Sequence, residues 1–214
     1  DDFEDDFETS QAQGRFADIT KSAEIFMHRP EMPMPLCIRD TPGVNDTFMI
    51  REQITIRAIR ESRICVVVLA AHQALSSVDM ALIRLIANVK SREVIIAVNR
   101  CDELSDPVRQ IPQIRESIRK TLIEHDGPKE AQIVFSSAYF ATAALTGNLD
   151  AVDPETLEAM TEWALEDGRL TDPASLAPEE VLWDISGLPS IYEALSERIA
   201  DGAGQDMLDR VAKS

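Results

Sequence analysis

An α/β domain on a mostly parallel sheet, with helices on both faces, is the fold class that the sequence predicts, and three observations predict it. Two runs, "RICVVVLA" at 63–70 and "EVIIAVN" at 93–99, are continuously apolar and β-branched, as expected of strands buried on both faces. Amphipathic segments follow each of them, "DMALIRLIANVK" at 79–90 and residues 107–126. A further short apolar run, "AQIVFSS" at 131–137, continues the alternation. Strand and helix in strict alternation is the order that a parallel sheet needs to connect its strands.

Taken in order, residues 1–13, "DDFEDDFETSQAQ", are acidic and polar with two isolated phenylalanines. They are expected to form a mobile tail or the start of a surface helix, within an acidic segment covering 1–19. "AEIFMH" at 23–28 suits a strand, and "RPEMPMP" after it a proline-rich turn. "LCIRD" at 36–40 suits the next strand. Residues 48–62, "FMIREQITIRAIRES", place their isoleucines mostly at helical spacing. In the 107–126 helix, Ile111, Ile114, Ile118 and Leu122 share one face, with Arg115, Arg119 and Lys120 expected to point away from it. Gly127 and Pro128 are its stop signal. Residues 139–184 read as helical and loop-rich, with Trp163 and Trp183 expected in the core. "GLPSIYEALSERIA" at 187–200 predicts a last amphipathic helix built on Ile191, Leu195 and Ile199, and residues 201–214 the start of a following helical region.

Composition narrows the partners. Of 214 residues, 44% are hydrophobic, enough for a sizeable core, and no run is long and apolar enough to span a bilayer. The acidic N-terminus lacks the basic-then-apolar pattern of a secretory signal. A formal net charge of −17 repels nucleic-acid phosphates and anionic headgroups, so neither is expected on the bulk surface. Cys37, Cys65 and Cys101 are widely spaced and sit in or beside apolar runs, which suits buried thiols in a reducing cytoplasm. His28, His72 and His125 show no metal-ligand spacing. His72, Arg57, Arg60 and Arg63 are expected to be solvated or structural groups.

Ligands of open parallel sheets bind beyond the carboxyl ends of the strands, and three loops of this chain fall there. Asp40–Gly43 follows "LCIRD", Asn99–Asp102 follows "EVIIAV", and Ser136, Ser137 and Ala138 follow "AQIVF". A carboxylate such as Asp102 can accept from both N1–H and N2–H₂ of guanine, whereas adenine has neither donor. Leaving the carboxylate unpaired costs on the order of 1–3 kcal/mol. Asn99 can brace the loop and reach the N7 side of the base, and the stem of Arg100 can lie along its face. A backbone N–H near Ser137 or Ala138 can donate to O6. Asp40 sits where a carboxylate linked to Mg²⁺ through water belongs, and Gly43 lets a backbone N–H approach a γ-phosphate closely. Each loop alone has an ordinary explanation: Asp40 capping a turn, Asn99 and Asp102 in a plain loop, Ser136 or Ser137 capping the next helix.

In order, Asp-Thr-Pro-Gly, Asn-Arg-Cys-Asp and Ser-Ser-Ala resemble the third, fourth and fifth motifs of the GTPase superfamily. "DTPGVND", the long segment after Ser-Ser-Ala and "SGLPSIYEAL" are most similar to the bacterial dynamin-like GTPases, over roughly residues 20–200. Arg100 stands where that pattern usually has Lys, a change that keeps the apolar stem. The resemblance implies a P-loop-GTPase-like three-layer fold, GTP or GDP with Mg²⁺ as cofactors, and hydrolysis coupled to membrane remodelling. It also implies a homo-oligomer formed through the nucleotide face, membrane contact only through regions outside this chain, and a cytoplasmic protein whose full-length form associates with membranes.

The phosphate-binding motif G-x-x-x-x-G-K-[ST] is absent from these 214 residues. Lys21-Ser22 lacks both glycines and leads into a strand instead of a helix. The fold is therefore expected to lack the strand before the phosphate loop, and no catalytic residue is expected in this chain. Two explanations remain: a piece of a longer GTPase, inactive alone, or a degenerate relative serving as a non-catalytic interaction module on the same fold.

Overall fold

The computed structural model describes residues 62–73, 75–87 and 93–212, together with Ile38. The acidic segment, the expected strands at 23–28 and 36–40 and nearly all of the expected helix at 48–62 lie outside the described residues. Within them the chain runs β1 (Ile64–Ala70), α1 (Ser77–Ala87), β2 (Glu93–Asn99), α2 (Pro107–Glu124), β3 (Gln132–Phe135), α3 (Ala138–Thr146), α4 (Pro154–Glu166), α5 (Pro178–Ile185) and α6 (Leu188–Ala212). The three strands form one parallel sheet in the order β1-β2-β3. Ala70 pairs with Asn99 and Val98 with Phe135, so the strands end together at one edge.

Strand alternation divides the core in two. Val67, Leu69, Ile96, Val98, Ile133 and Phe135 belong to the larger cluster, closed by Ile83 of α1, Ile111, Ile118 and Leu122 of α2, and Met160 and Trp163 of α4. On the opposite face, Ile95 and Val134 meet Ala194 of α6, with Ile64, Ile191 and Leu195 around them. Helices therefore cover both faces, giving the expected three layers. Burying each large aliphatic side chain contributes on the order of 1.5–3 kcal/mol, so these two clusters dominate the stability of the unit.

β1 departs from expectation. Its run of branched residues predicted burial on both faces, yet Val66 is 40% and Val68 63% exposed. These two share the face that α6 packs on, but α6 lies chiefly over β2 and β3. Val67 and Leu69, pointing the other way, are buried.

Helix ends follow local chemistry. The Ser76 hydroxyl accepts from Asp79 N–H while the Asp79 carboxylate accepts from Ser76 N–H, a reciprocal cap at the start of α1. Asp106 accepts from Arg109 N–H and Pro107 opens α2. At the other end of α2 the left-handed residue is Asp126, with φ 53°. Gly127 serves close packing instead: its N–H donates to Leu122 O at 2.7 Å, and a Cβ there would lie 2.9 Å from the Leu122 side chain.

Two further expectations are corrected. Arg115 does not point to solvent; its guanidinium lies 4.8 Å from the Phe135 ring centre and 3.9 Å from Asp167, and burial holds its pKa below the usual arginine range. Trp163 is a core residue, but Trp183 is only partly buried, against Tyr192. Residues 201–212 continue α6 without a break.

A candidate guanine-base site at the carboxyl edge of the sheet

β2 and β3 place Asn99–Asp102 and Ser136–Ala138 side by side at the carboxyl edge, and backbone hydrogen bonds bind the two loops together. Ser136 N–H donates to Val98 O at 2.7 Å, and Cys101 N–H donates to Ser136 O at 3.1 Å. From the neighbouring strand, Ala71 N–H donates to Asn99 O at 2.8 Å. Ser137 caps α3 by accepting from Phe140 N–H at 3.1 Å. The ordinary capping role is therefore real for Ser137, and it holds the loop in place.

Asn99 acts as the brace. Its Oδ1 accepts from Ala138 N–H at 2.9 Å, joining the two loops across the edge. Because that oxygen is committed, the amide's Nδ2 is the group left to donate. Ser137 N–H is also used, donating to Ser186 O at 2.8 Å at the entry to α6. Neither expected O6 donor is therefore without a partner. Ser137 N–H is held by a carbonyl, while Ala138 N–H lies at the surface and can share its proton between Asn99 and an incoming acceptor.

Arg100 adopts the left-handed conformation, φ 68° and ψ 34°, unusual for a residue with a side chain. Strained backbone of this kind persists where its surroundings enforce it. Here the Arg100 carbonyl accepts from Glu103 N–H, closing a single 3₁₀ turn over Cys101–Glu103. Its guanidinium lies 2.6 Å from Glu103 Oε1, and the other carboxylate oxygen lies 3.2 Å from Nδ1 of His72. Sequence reasoning missed Glu103. Its signal was the i, i+3 spacing to Arg100, which brings side chains together only once the turn is known.

Cys101 anchors the turn from below. Its side chain is fully buried, its thiol lies 3.4 Å from Val98 O, and burial pushes its pKa up to about 12. It is an inert core thiol.

Asp102 is the informative residue. Its Oδ1 is buried and accepts no hydrogen bond. A buried acceptor without a donor costs about 1–3 kcal/mol, so such a group calls for a partner, from a ligand or from water. A guanine edge, with two adjacent N–H donors, is the kind of group that satisfies it. Asp40 and Gly43, the proposed Mg²⁺ and phosphate residues, lie outside the described residues. Among the described residues no cluster of three or more His, Cys, Asp or Glu could hold a metal ion, and no helix is long and apolar enough to cross a membrane.

A parallel α/β sheet with helices on both faces has the architecture of part of a P-loop GTPase domain. No family model matches the chain. It is 26% identical over 189 residues to the tRNA modification GTPase MnmE of Alkaliphilus oremlandii, covering 85% of this chain and 40% of that protein. To the tRNA modification GTPase MnmE of Bacillus pumilus it is 25% identical, covering 83% of the chain and 40% of the relative. It is also 28% identical over 120 residues to Dynamin-like protein 1 of Campylobacter jejuni, covering 55% of the chain and 16% of that protein. The chain thus spans well under half the length of these curated relatives. All three are GTPases or dynamin-like by name, which supports a relationship to the GTPase superfamily.

Proposed function

We propose that the edge formed by Asn99–Asp102 and Ser136–Ala138 binds the guanine base of GTP and GDP. In this reading Asp102 accepts from N1–H and N2–H₂, Asn99 Nδ2 donates toward N7, and Ala138 N–H shares its proton with O6. The Arg100 stem lies along the ring, its head held by Glu103. Asp40 holds Mg²⁺ through water and Gly43 offers its N–H to the γ-phosphate, so that the loop after Gly43 orders with GTP and relaxes after hydrolysis. Mg²⁺ would supply charge neutralisation at the phosphates. The unsatisfied Asp102 oxygen is the observation that carries the proposal.

Nucleotide competition on the whole protein tests it. Asp102→Asn should lower guanine affinity by about tenfold or more, one lost charged pairing being worth roughly 1.5–3 kcal/mol. It should also raise preference for xanthine nucleotides, whose 2-carbonyl accepts from the new amide. An unchanged base preference removes Asp102 from the site.

For the whole protein we propose GTP hydrolysis coupled to membrane remodelling, supported by the "DTPGVND" and "SGLPSIYEAL" motifs and by the similarity to Dynamin-like protein 1. A second reading, a GTPase acting in tRNA modification, is favoured by the wider coverage of this chain, 83–85%, in the two MnmE alignments cited above. The net charge of −17 makes this chain a poor direct contact for RNA. GTP-dependent deformation of liposomes by the whole protein, without any tRNA requirement, favours the first reading; its absence together with GTPase-dependent tRNA modification favours the second.

A further inference from the structure

The helices between β3 and α6 form a lobe whose charge is one-sided. From Ala138 to Ile185 the sequence has eleven Asp and Glu, one Arg and no Lys. That single cation is turned inward. Arg169 donates to Phe135 O at 2.9 Å, pairs with Asp167 at 2.8 Å and packs 4.4 Å from the Trp163 ring centre. The outer surface of the lobe is therefore negative with no cation of its own to offset it.

Two apolar grooves open on this lobe. One, of about 320 Å³, lies between α4 and α5 and is lined by Leu149, Val152, Leu157, Leu176 and Val181. The other, of about 400 Å³, lies between α3 and α5, where Leu145, Ala144, Leu176 and Trp183 form the apolar wall and Glu179, Glu180 and Asp184 the polar one. Leu176 lines both, so the grooves adjoin. Leu145 is 74% exposed, the kind of large apolar side chain that becomes informative when it borders a groove instead of standing alone.

We propose that this paired groove docks a cationic amphipathic helix of a protein partner. Such a helix presents apolar side chains at i, i+3, i+4 and i+7 to a groove while Lys and Arg flank them, and Glu179 and Asp184 line this groove beside Glu180, whose carboxylate accepts from Ala177 N–H. Net charge disfavours the other occupants. A second copy of this chain brings another −17, and nucleic acid or anionic lipid brings the same sign. The docking surface is built from α3, α4, α5 and the turns that join them, and none of its lining residues belongs to the base site.

Fluorescence anisotropy with residues 1–214 tests this. The probe is a labelled peptide of about 18 residues with Leu on one helical face and Lys on the other, compared with an isomer of identical composition whose Leu residues are dispersed around the helix. The amphipathic peptide should bind at least about tenfold more tightly than its isomer. Leu145→Gln should weaken it by about fivefold or more. Glu179→Gln should weaken it and flatten its salt dependence. Both substitutions are at exposed positions, so unchanged circular dichroism and melting are expected alongside. Equal binding of the two peptides, or full binding by Leu145→Gln with the fold intact, overturns the proposal.

Discussion

Asn99 and Asp102 are separated by two residues and by a reversal of role. Asn99 spends its oxygen on Ala138 N–H and so fixes the edge, while Asp102 keeps a buried oxygen with nothing to accept. Their position at the carboxyl edge was legible because they directly follow an apolar strand of a parallel sheet. Two things were not legible. Glu103 reaches Arg100 and His72 only through a 3₁₀ turn and a neighbouring strand, and Arg115 reaches Phe135 only through the packing of α2 on the sheet. The Cys101 thiol gives a prediction at this scale. Its folded pKa, raised to about 12, exceeds the ordinary value of 9.0, because burial disfavours the thiolate. The unfolded chain therefore loses this proton first, and the associated stability is complete below pH 9 and is lost as pH rises toward 12. Denaturant midpoints between pH 8.5 and 11, as measured against Cys101→Ala, should show a steeper alkaline decline in the parent chain. Parallel declines would place the thiol in a more polar setting. Cys101 should also resist thiol reagents at pH 8 until the chain unfolds.

Among the elements, α6 shows how one glycine sets a docking angle. Gly187 has φ 73°, and a Cβ there would lie 2.1 Å from Phe135 O, the last residue of β3. The turn into α6 is thus pressed against the end of the strand that begins the Ser136–Ala138 loop, and Ser137 N–H reaches Ser186 O across the same contact. Gly187→Ala combines a left-handed backbone with a clash against a carbonyl that cannot swing aside. It should cost about 2–4 kcal/mol in denaturant unfolding and disturb the base edge as well. A loss under about 1 kcal/mol would contradict that packing. β1 gives a matched pair: Val67→Thr should destabilise residues 1–214 by about 1–3 kcal/mol, since it buries a hydroxyl, while Val68→Thr should change stability by less than about 0.5 kcal/mol. The three described strands were legible as continuous apolar runs, and α2 and the first half of α6 from their helical spacing; that α6 continues through 201–212 was not. The breaks between α3, α4 and α5 were not. These short helices are set by the Ser137 and Asp153 caps, by Pro178 at the first position of α5 and by mutual packing, and local spacing does not reveal which side chains meet.

At the scale of the whole molecule, the parallel sheet and its two helical layers followed from the alternation of elements. The exposed outer face of β1 did not, because a run of branched residues reports the capacity for burial and not what covers it. The proposed base site brings together candidate guanine-selecting groups, and among the described residues it includes none of the groups proposed to hold a triphosphate. Charged phosphate contacts are worth about 1.5–3 kcal/mol each, so residues 1–214 alone should bind GTP only at about millimolar concentration and hydrolyse none. Micromolar affinity by calorimetry would contradict this. The most direct measurement is a two-dimensional NMR titration of residues 1–214 with GDP and, separately, ADP at millimolar concentration. The account predicts that the amide signals of Cys101, Asp102 and Ala138 and the side-chain amide of Asn99 shift with GDP and stay fixed with ADP. Equal shifts with both nucleotides, or GDP-induced shifts that spare these residues, would contradict it.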